Sequence, residues 1–401
     1  MSDTAQTEQI APHDLDDASR ALGEGQAAGR TVLFSGADTK SQWGGVVDPT
    51  DLRISTDGLN DLISHQPGDM TAVVGAGMPL RTLQTSLAEQ GQWLALDPAT
   101  EQAGATIGGL LATGDAGPRR LRYGTMRDLA IGATIVLADG TIVHSGSHVI
   151  KNVAGYDLTK LFHGSLGSLG LIAEVILRLH PLPATSSTLR ATATVSEATI
   201  AASALSRSGV EPTAIEWSQP GTGDGSGTLL VRIDGSASGT SAGSSRLAKV
   251  LSDQGLSAQL LDPDVADRHW ATFAETTRGS TEETVVRAGA LPDRSPQAIQ
   301  ALRTLADEHG VQAAVASSIA LGLHTAVLSG SADAQMEVAD QWRRRVETLG
   351  GSCSLRNRPA VVADQLSAFG TPPSSAPLLR AVKHKLDPYE RCAPGRFRGW
   401  Y

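Results

Sequence analysis

Cysteine is almost missing from this chain: Cys353 and Cys392 are the two present in 401 residues, and they form no CxxC pair. A cubane iron–sulfur cluster takes about four thiolates, so this chain alone holds none, and a disulfide framework is not expected. The ten histidines are scattered. His269, His309, His324 and His384 show neither HxH nor HExxH spacing, so no metal site is expected. No apolar run reaches the roughly 18 residues of a membrane-crossing helix. The opening Met-Ser-Asp-Thr-Ala-Gln-Thr-Glu lacks the basic and apolar regions of a secretion signal. These absences predict a cytoplasmic protein with no direct membrane span. Positive charge is scarce too: the formal charge is −9, which argues against nucleic acid, whose phosphates need clustered Lys and Arg. The basic clusters are short. Residues 343–345 belong on a solvated helix face, whereas Arg119, Arg120 and Arg122 stand in a glycine-rich stretch where they could meet a cofactor or an anionic partner.

Glycine, by contrast, is abundant: 43 residues, well above the usual ~7%. With 40% hydrophobic and 19% charged residues the chain is otherwise an ordinary globular one, and its length predicts two domains. The glycines gather between residues 104 and 182, as Gly108-Gly109, Gly114, Gly117, Gly164, Gly167 and Gly170, separated by apolar β-like runs. Chains look like this where backbone must come very close to a ligand.

In order, residues 1–12 are polar and predicted disordered. A helix follows over 14–28, ending at Gly29, and a strand over 31–34 runs into Ser35-Gly-Ala-Asp-Thr-Lys40, a plausible anion-binding nest. Strands over 52–56 and 70–74 lead to Gly75-Ala-Gly-Met-Pro-Leu80 and a helix over 79–90. That GxGxxL imitates a dinucleotide-binding βαβ unit with Asp97 as its ribose acid, but Leu80 stands where a third glycine is wanted. A hairpin over 130–144 turns at Ala138-Asp-Gly-Thr141, and an apolar strand over 171–180 closes the domain at Pro181 and Pro183. Beyond it, strands (189–195, 228–233, 313–317, 324–328) alternate with helices (197–206, 244–254, 296–309, 335–349), an α+β pattern. The Ser/Gly-rich pieces 221–227 and 235–245 read as flexible loops. Gly239-Thr-Ser-Ala-Gly243 matches G-x-S-x-G, but no strand precedes it and a nucleophile elbow is not expected.

Several runs are similar to the FAD-binding domain of the vanillyl-alcohol oxidase (PCMH-type) flavoproteins: Thr106-Ile-Gly-Gly109, Ala116-Gly-Pro-Arg-Arg120, Gly124-Thr-Met-Arg-Asp128, Lys151-Asn-Val-Ala-Gly-Tyr-Asp157, and Gly164 to Gly170 with Glu174. Within that superfamily they most resemble the FAD-binding E subunit of bacterial glycolate oxidase. The resemblance covers roughly residues 30–183 and a terminal Ala393-Pro-Gly-Arg396, where Ala393 replaces the usual Asn. It implies a two-subdomain PCMH-type FAD-binding domain over 13–183, a smaller α+β capping domain over 184–375, and a segment 376–401 returning to the FAD domain. It implies FAD as cofactor, at Ser35, Gly36, Ala37, Asp38, Thr39, Lys40, Pro98, Thr106, Ile107, Gly108, Gly109, Thr113, Gly114, Gly117, Pro118, Tyr123, Gly124, Arg127, Asp128, Gly167, Gly170, Ile172 and Glu174. No His or Cys falls in the matched loops, so the flavin is expected to be non-covalent. The implied substrate is a small 2-hydroxy acid. The implied partners are a second FAD-binding subunit and an iron–sulfur subunit, through which the protein would sit at the inner face of the cell membrane. No catalytic residue stands out. His324 and Arg380 are the candidates, and each also reads plainly, as a satisfied strand histidine and an exposed helix arginine. The other class open to the chain is a non-catalytic flavin-fold subunit that structures a complex or carries electrons.

Overall fold

The computed structural model describes residues 7–147, 157–221 and 225–401; Lys151 to Tyr156 of the Lys-Asn-Val-Ala-Gly-Tyr-Asp run lie outside them. Near the N-terminus the expectation of disorder is corrected for Glu8–Ile10, a strand that pairs in parallel with Leu52–Ser55. Its bonds are main-chain ones, such as Glu8 N–H to Asp51 C=O at 2.9 Å, so a polar composition does not reveal them. Strand Val32–Ser35 lies on the other side of Leu52–Ser55. The helix Leu15–Ala27, capped by the Asp14 side chain on Asp17 N–H, buries Ala18 and Leu22.

A five-stranded antiparallel sheet follows, in the order Leu62–Gln66, Thr71–Gly75, Leu171–Arg178, Ala130–Val136, Ile142–Gly146. Its core includes Val74, Leu83, Leu87, Ile107, Leu110 and Val175, the helices Leu80–Ala88 and Ile107–Thr113 supplying the apolar faces. Thr71–Gly75 has antiparallel neighbours on both sides, so the GxGxxL segment is no parallel βαβ unit.

Residues 185–355 build the largest sheet, eight antiparallel strands. It consists of two consecutive strand–helix–strand–strand–helix–strand units. The first runs Thr185–Thr194, Val195–Ser206, Ala214–Gln219, Ser226–Gly235, Ala237–Asp253 and Gln259–Leu260. The second runs Thr284–Gly289, Ser295–His309, Gln312–Ser318, Leu323–Ser329, Ala332–Thr348 and Ser352–Leu355. They join where Ala214–Gln219 pairs with Gln312–Ser318. Alternation sorts the two faces: Trp217, Val231, Ile233, Val286, Ala288 and Ala326 pack under the four long helices, and the opposite face meets the first domain.

The supposed flexible loop 235–245 is corrected: Ala237–Asp253 is a helix, its Ser236 side chain accepting from Gly239 N–H. Thr240, Gly243, Ser244, Leu247 and Leu251 are its buried stripe, and a Cβ on Gly243 would stand 2.3 Å from Ile233 Cδ1. The small residues are there to let helix and sheet approach, a demand that composition alone mistakes for flexibility. The G-x-S-x-G string lies within this helix.

The C-terminal helix Ala376–Leu386 returns the chain to the first domain. Val32 N–H donates to Arg391 C=O and Ala393 N–H to Val32 C=O, at 2.9 and 2.8 Å. Phe369 of the cap stacks on Phe397 with ring centres 5.0 Å apart.

Candidate functional site

One elongated cavity runs between the two sheets of the first domain. Three loops form it: Ser35 to Ser41 after the first long strand, the opening of helix Ile107–Thr113, and Leu166 to Leu171. Of the residues expected to bind a cofactor, Ser35, Gly36, Ala37, Asp38, Thr39, Lys40, Thr106, Gly108, Gly109, Thr113, Gly167, Gly170 and Ile172 line it.

The loops meet closely at Gly36, where a Cβ would stand 2.5 Å from Thr106 Oγ1. That same hydroxyl accepts from Gly109 N–H at 3.3 Å and so caps the helix. Gly109 faces the cavity, and a Cβ there would meet only Thr106 Oγ1, at 3.1 Å. Asp38, with φ 53°, pairs its carboxylate with Arg53, which offsets the charge of an acid in this loop. Lys40 is a buried cation of the site, 8% exposed, 3.5 Å from Asp115. Burial lowers the Lys40 pKa by more than Asp115 restores. Burial also acts to raise Asp115, but Lys40, Arg356, the Thr100 hydroxyl and Arg120 outweigh it and hold the carboxyl below its ordinary value.

The other expected residues do not line this cavity. Ile107 is fully buried in the core and Pro98 is buried. Gly114 ends the helix at φ 63°, against the His163 ring. Tyr123 packs edge-on to Trp93 and His180. Gly124, Arg127 and Asp128 form a helix start in which the Asp128 carboxylate accepts from Thr125 N–H. Glu174 accepts from the Thr134 hydroxyl at 2.7 Å. Gly117 and Pro118 line a different cavity, against the cap. The glycine-rich run is thus half cradle and half helix capping, and residue type does not separate the two. Neither catalytic candidate reaches the cavity. His324 is 0% exposed on the helix-covered face of the cap sheet, its Nδ1 2.8 Å from Ser317 Oγ, and burial pushes its pKa down to about 3. Arg380 donates to Trp400 C=O.

Sequence reasoning missed Trp43, Arg358 and Arg396. Arg396 Nη1 donates to the carbonyls of Ser41, Trp43 and Gly45 at 2.9, 2.7 and 3.2 Å, and Arg358 of the cap to those of Gln42 and Gly44 at 3.0 and 2.7 Å. Two guanidiniums, from the cap and the C-terminus, therefore clamp the loop that follows Lys40. The terminal Pro-Gly-Arg396 was a signal for one of them; Arg358 had none.

The cap sheet carries charge onto the first domain. Arg119 bridges Asp97 and Asp234 at 3.4 and 3.0 Å. Glu216, 1% exposed, accepts from the Ser318 hydroxyl, and burial pushes its pKa up to about 8 against that bond, Arg120 and Arg287. The folded state therefore holds this proton more tightly than the unfolded chain, so the acid costs stability as pH climbs from 4.5 to about 8. Glu216→Gln is expected to melt a few degrees above the parent at pH 8 and level with it at pH 4. Equal melting points at both pH values would contradict the assignment.

Residues 9–146 match the family described as FAD binding domain. The glycolate oxidase subunit GlcE of Escherichia coli is 37% identical over 137 residues, 34% of this chain and 39% of that protein. Glycolate oxidase subunit GlcD of Bacillus subtilis is 34% identical over 182 residues, 45% of this chain and 38% of its own length. The mitochondrial D-lactate dehydrogenase [cytochrome] 1 of Saccharomyces cerevisiae is 36% identical over 39% of this chain and 27% of its own. The matched stretches thus span less than half of each relative. An alkyldihydroxyacetonephosphate synthase structure superposes with a TM-score of 0.72 over 96% of this chain and 75% of its own, at 16% identity, a likeness of fold. The first domain is a PCMH-type FAD-binding domain, and FAD is its cofactor. The residues fit that group: small loops leave room for it, and Gly109 presents a surface that any Cβ would fill.

Proposed function

We propose that this chain is the FAD-binding subunit of a 2-hydroxy-acid dehydrogenase assembly of the glycolate oxidase kind. The observation that carries it is the cavity formed by Ser35 to Ser41, Thr106 to Thr113 and Leu166 to Ile172 in the stretch related to hydroxy-acid flavoproteins. Bound there, FAD supplies a two-electron acceptor for the hydroxy acid. The chain's own part is to hold it. Backbone N–H groups of the loops and Lys40 balance its phosphates, Ile172 and Leu171 give an apolar wall, and the cap shields the end near Trp43 from water.

We assign residues 13–183 to the FAD domain, 184–375 to the cap and 376–401 to a segment completing the FAD domain. The proposed partners are a second FAD-binding subunit and an iron–sulfur subunit that take the electrons onward, with the assembly at the inner face of the cell membrane. Among the described residues no helix is long and apolar enough to cross a membrane. Expressed with its neighbouring genes and captured by a tag, the chain should bring down a second flavoprotein and an iron–sulfur protein. A monomer oxidising glycolate to completion alone, at about 1 s⁻¹ or faster, would sink the assembly.

The position of His324, turned into the cap core, favours a second reading in which the chain carries electrons without oxidising the acid. Anaerobic glycolate separates them: bleaching of the flavin bands in one turnover marks a catalyst, and unchanged bands mark a carrier. Among the described residues that line the cavity none is His, Cys or Tyr, so acid precipitation is expected to leave the yellow colour in the supernatant. Colour in the pellet would show a covalent link.

A further inference from the structure

The face of the cap sheet turned away from its long helices carries buried charge beside a small apolar cluster of Ala214 and Leu230 with Trp270, whereas the other face holds the main core. At one end charge is balanced, Arg119 and Arg232 facing Asp97 and Asp234. Towards the middle the balance fails. Arg120, Arg287 and Arg356 converge there, and among the described residues none has a carboxylate oxygen within 4.0 Å. Their partners are neutral: Arg120 donates to the carbonyls of Ala116 and Gly117, Arg287 donates to Thr325 Oγ1 at 2.7 Å, and Arg356 lies 3.7 Å over the Trp43 ring. The acids in their field are Asp115, shared with Lys40 and Thr100, Glu216, whose Oε1 has no partner among the described residues, and Asp97, which is already shared by Arg119 and Arg232. Lys40 and the three arginines thus outnumber Asp115 and Glu216 by two charges even with both acids ionised. Burial first, then Arg120 and Arg356, hold Arg287 well below its ordinary pKa, and burial brings Arg356 to about 10 although Asp115 opposes it, so burial weighs on both and like charge adds to it at Arg287.

Arg287 and Arg356 line one cavity with Asp97, Ser318 and Thr325. A neighbouring cavity shares Ala99, Asp115, Thr277 and Arg356 with it, and Thr39 and Trp43 with the flavin cavity. The arginine pocket therefore opens, through this intermediate space, towards the flavin site. A guanidinium offers five N–H donors in a planar fork suited to carboxylates, and most of these donors on Arg287 and Arg356 have no acceptor among the described residues.

We propose that this pocket binds a small organic dianion, a two-carboxylate acid, with Arg287 and Arg356 as its binding residues. The charge surplus asks for two negative charges, and one carboxylate would leave the cluster still in excess. The inference deepens the proposed function, on which it rests only for the acid's being a substrate, a 2-hydroxy dicarboxylate. Binding itself does not depend on it.

FAD-loaded protein titrated by calorimetry with malate, and with lactate as the one-charge control, tests this. Malate is expected to bind at least about tenfold more tightly than lactate, and Arg287→Met and Arg356→Met should each abolish that margin. Without any acid both variants should melt no lower than the parent, because removing a part-buried cation that lacks a counter-ion relieves the cluster. Malate binding no tighter than lactate overturns the proposal, as does undiminished malate affinity in Arg287→Met, or a large loss of melting temperature in both variants. Visible absorbance of the same samples keeps the two readings apart: protein without flavin sinks the flavoprotein assignment, while the malate titration still decides this one.

Discussion

Asp387→Ala is expected to destabilise the flavin-loaded protein by about 3–5 kcal/mol, the cost typical of leaving a buried ion without its partner. Asp387 is fully buried and 2.6 Å from Lys383 Nζ, itself 6% exposed. Its two oxygens also accept from Arg391 N–H and Cys392 N–H at 3.0 and 2.7 Å. Lys383 in turn donates to Ser168 C=O at 2.7 Å, in the loop that closes the flavin cavity, and to Cys392 C=O at 3.1 Å. Loss of this one carboxylate strands an ammonium and two amides where water does not reach, and loosens the strand-like join between Val32 and Cys392. Urea unfolding followed by flavin release measures it. The paired change Lys383→Met with Asp387→Leu should recover most of the loss, because a buried pair removed whole costs little. A loss below about 1 kcal/mol in the single variant would show that the pair is solvated and the terminal latch is not what holds the loop.

Gly109→Val is expected to weaken FAD by a factor of about a hundred or more, ~2.7 kcal/mol, in a protein that stays folded. Gly109 is in ordinary helical backbone with no positive φ, and its would-be Cβ meets only Thr106 Oγ1 at 3.1 Å. Thr106 has to give by a few tenths of an ångström, and beyond that contact the volume taken is the cofactor's. Gly108 makes the contrast: a Cβ there stands 2.6 Å from Ala76 Cβ, so Gly108→Val should unfold before it selects against flavin. Far-ultraviolet dichroism with the ratio of visible to protein absorbance reads both. Gly109→Val purified with full flavin would move the cofactor out of this cavity.

Most elements of the first domain were legible because their signals are local. Helix Leu15–Ala27 shows its Asp14 cap and Gly29 stop, the hairpin its Asp139-Gly140 turn, and the cradle its Gly36 and Gly108-Gly109. Signals failed where two causes leave the same residue. Small residues over 237–245 mean a loop in one setting and a close helix in another, and only Ile233 beneath Gly243 decides. Glycines at 114 and 124 end helices, a role that residue type alone does not separate from ligand approach.

By itself, then, the sequence determined the strand and helix periods, the glycine-rich loops between them, and the scarcity of cysteine, two residues in the chain. Only the tertiary structure decided that Arg358 and Arg396 clamp one loop, that Lys383 and Asp387 tie the C-terminus to Ser168, and that Arg120, Arg287 and Arg356 meet across the domain boundary. Period and turn chemistry act between residues a few positions apart, whereas these cations meet partners up to 355 positions away. Their energies depend on which sheet faces oppose each other and on how far water is excluded between them.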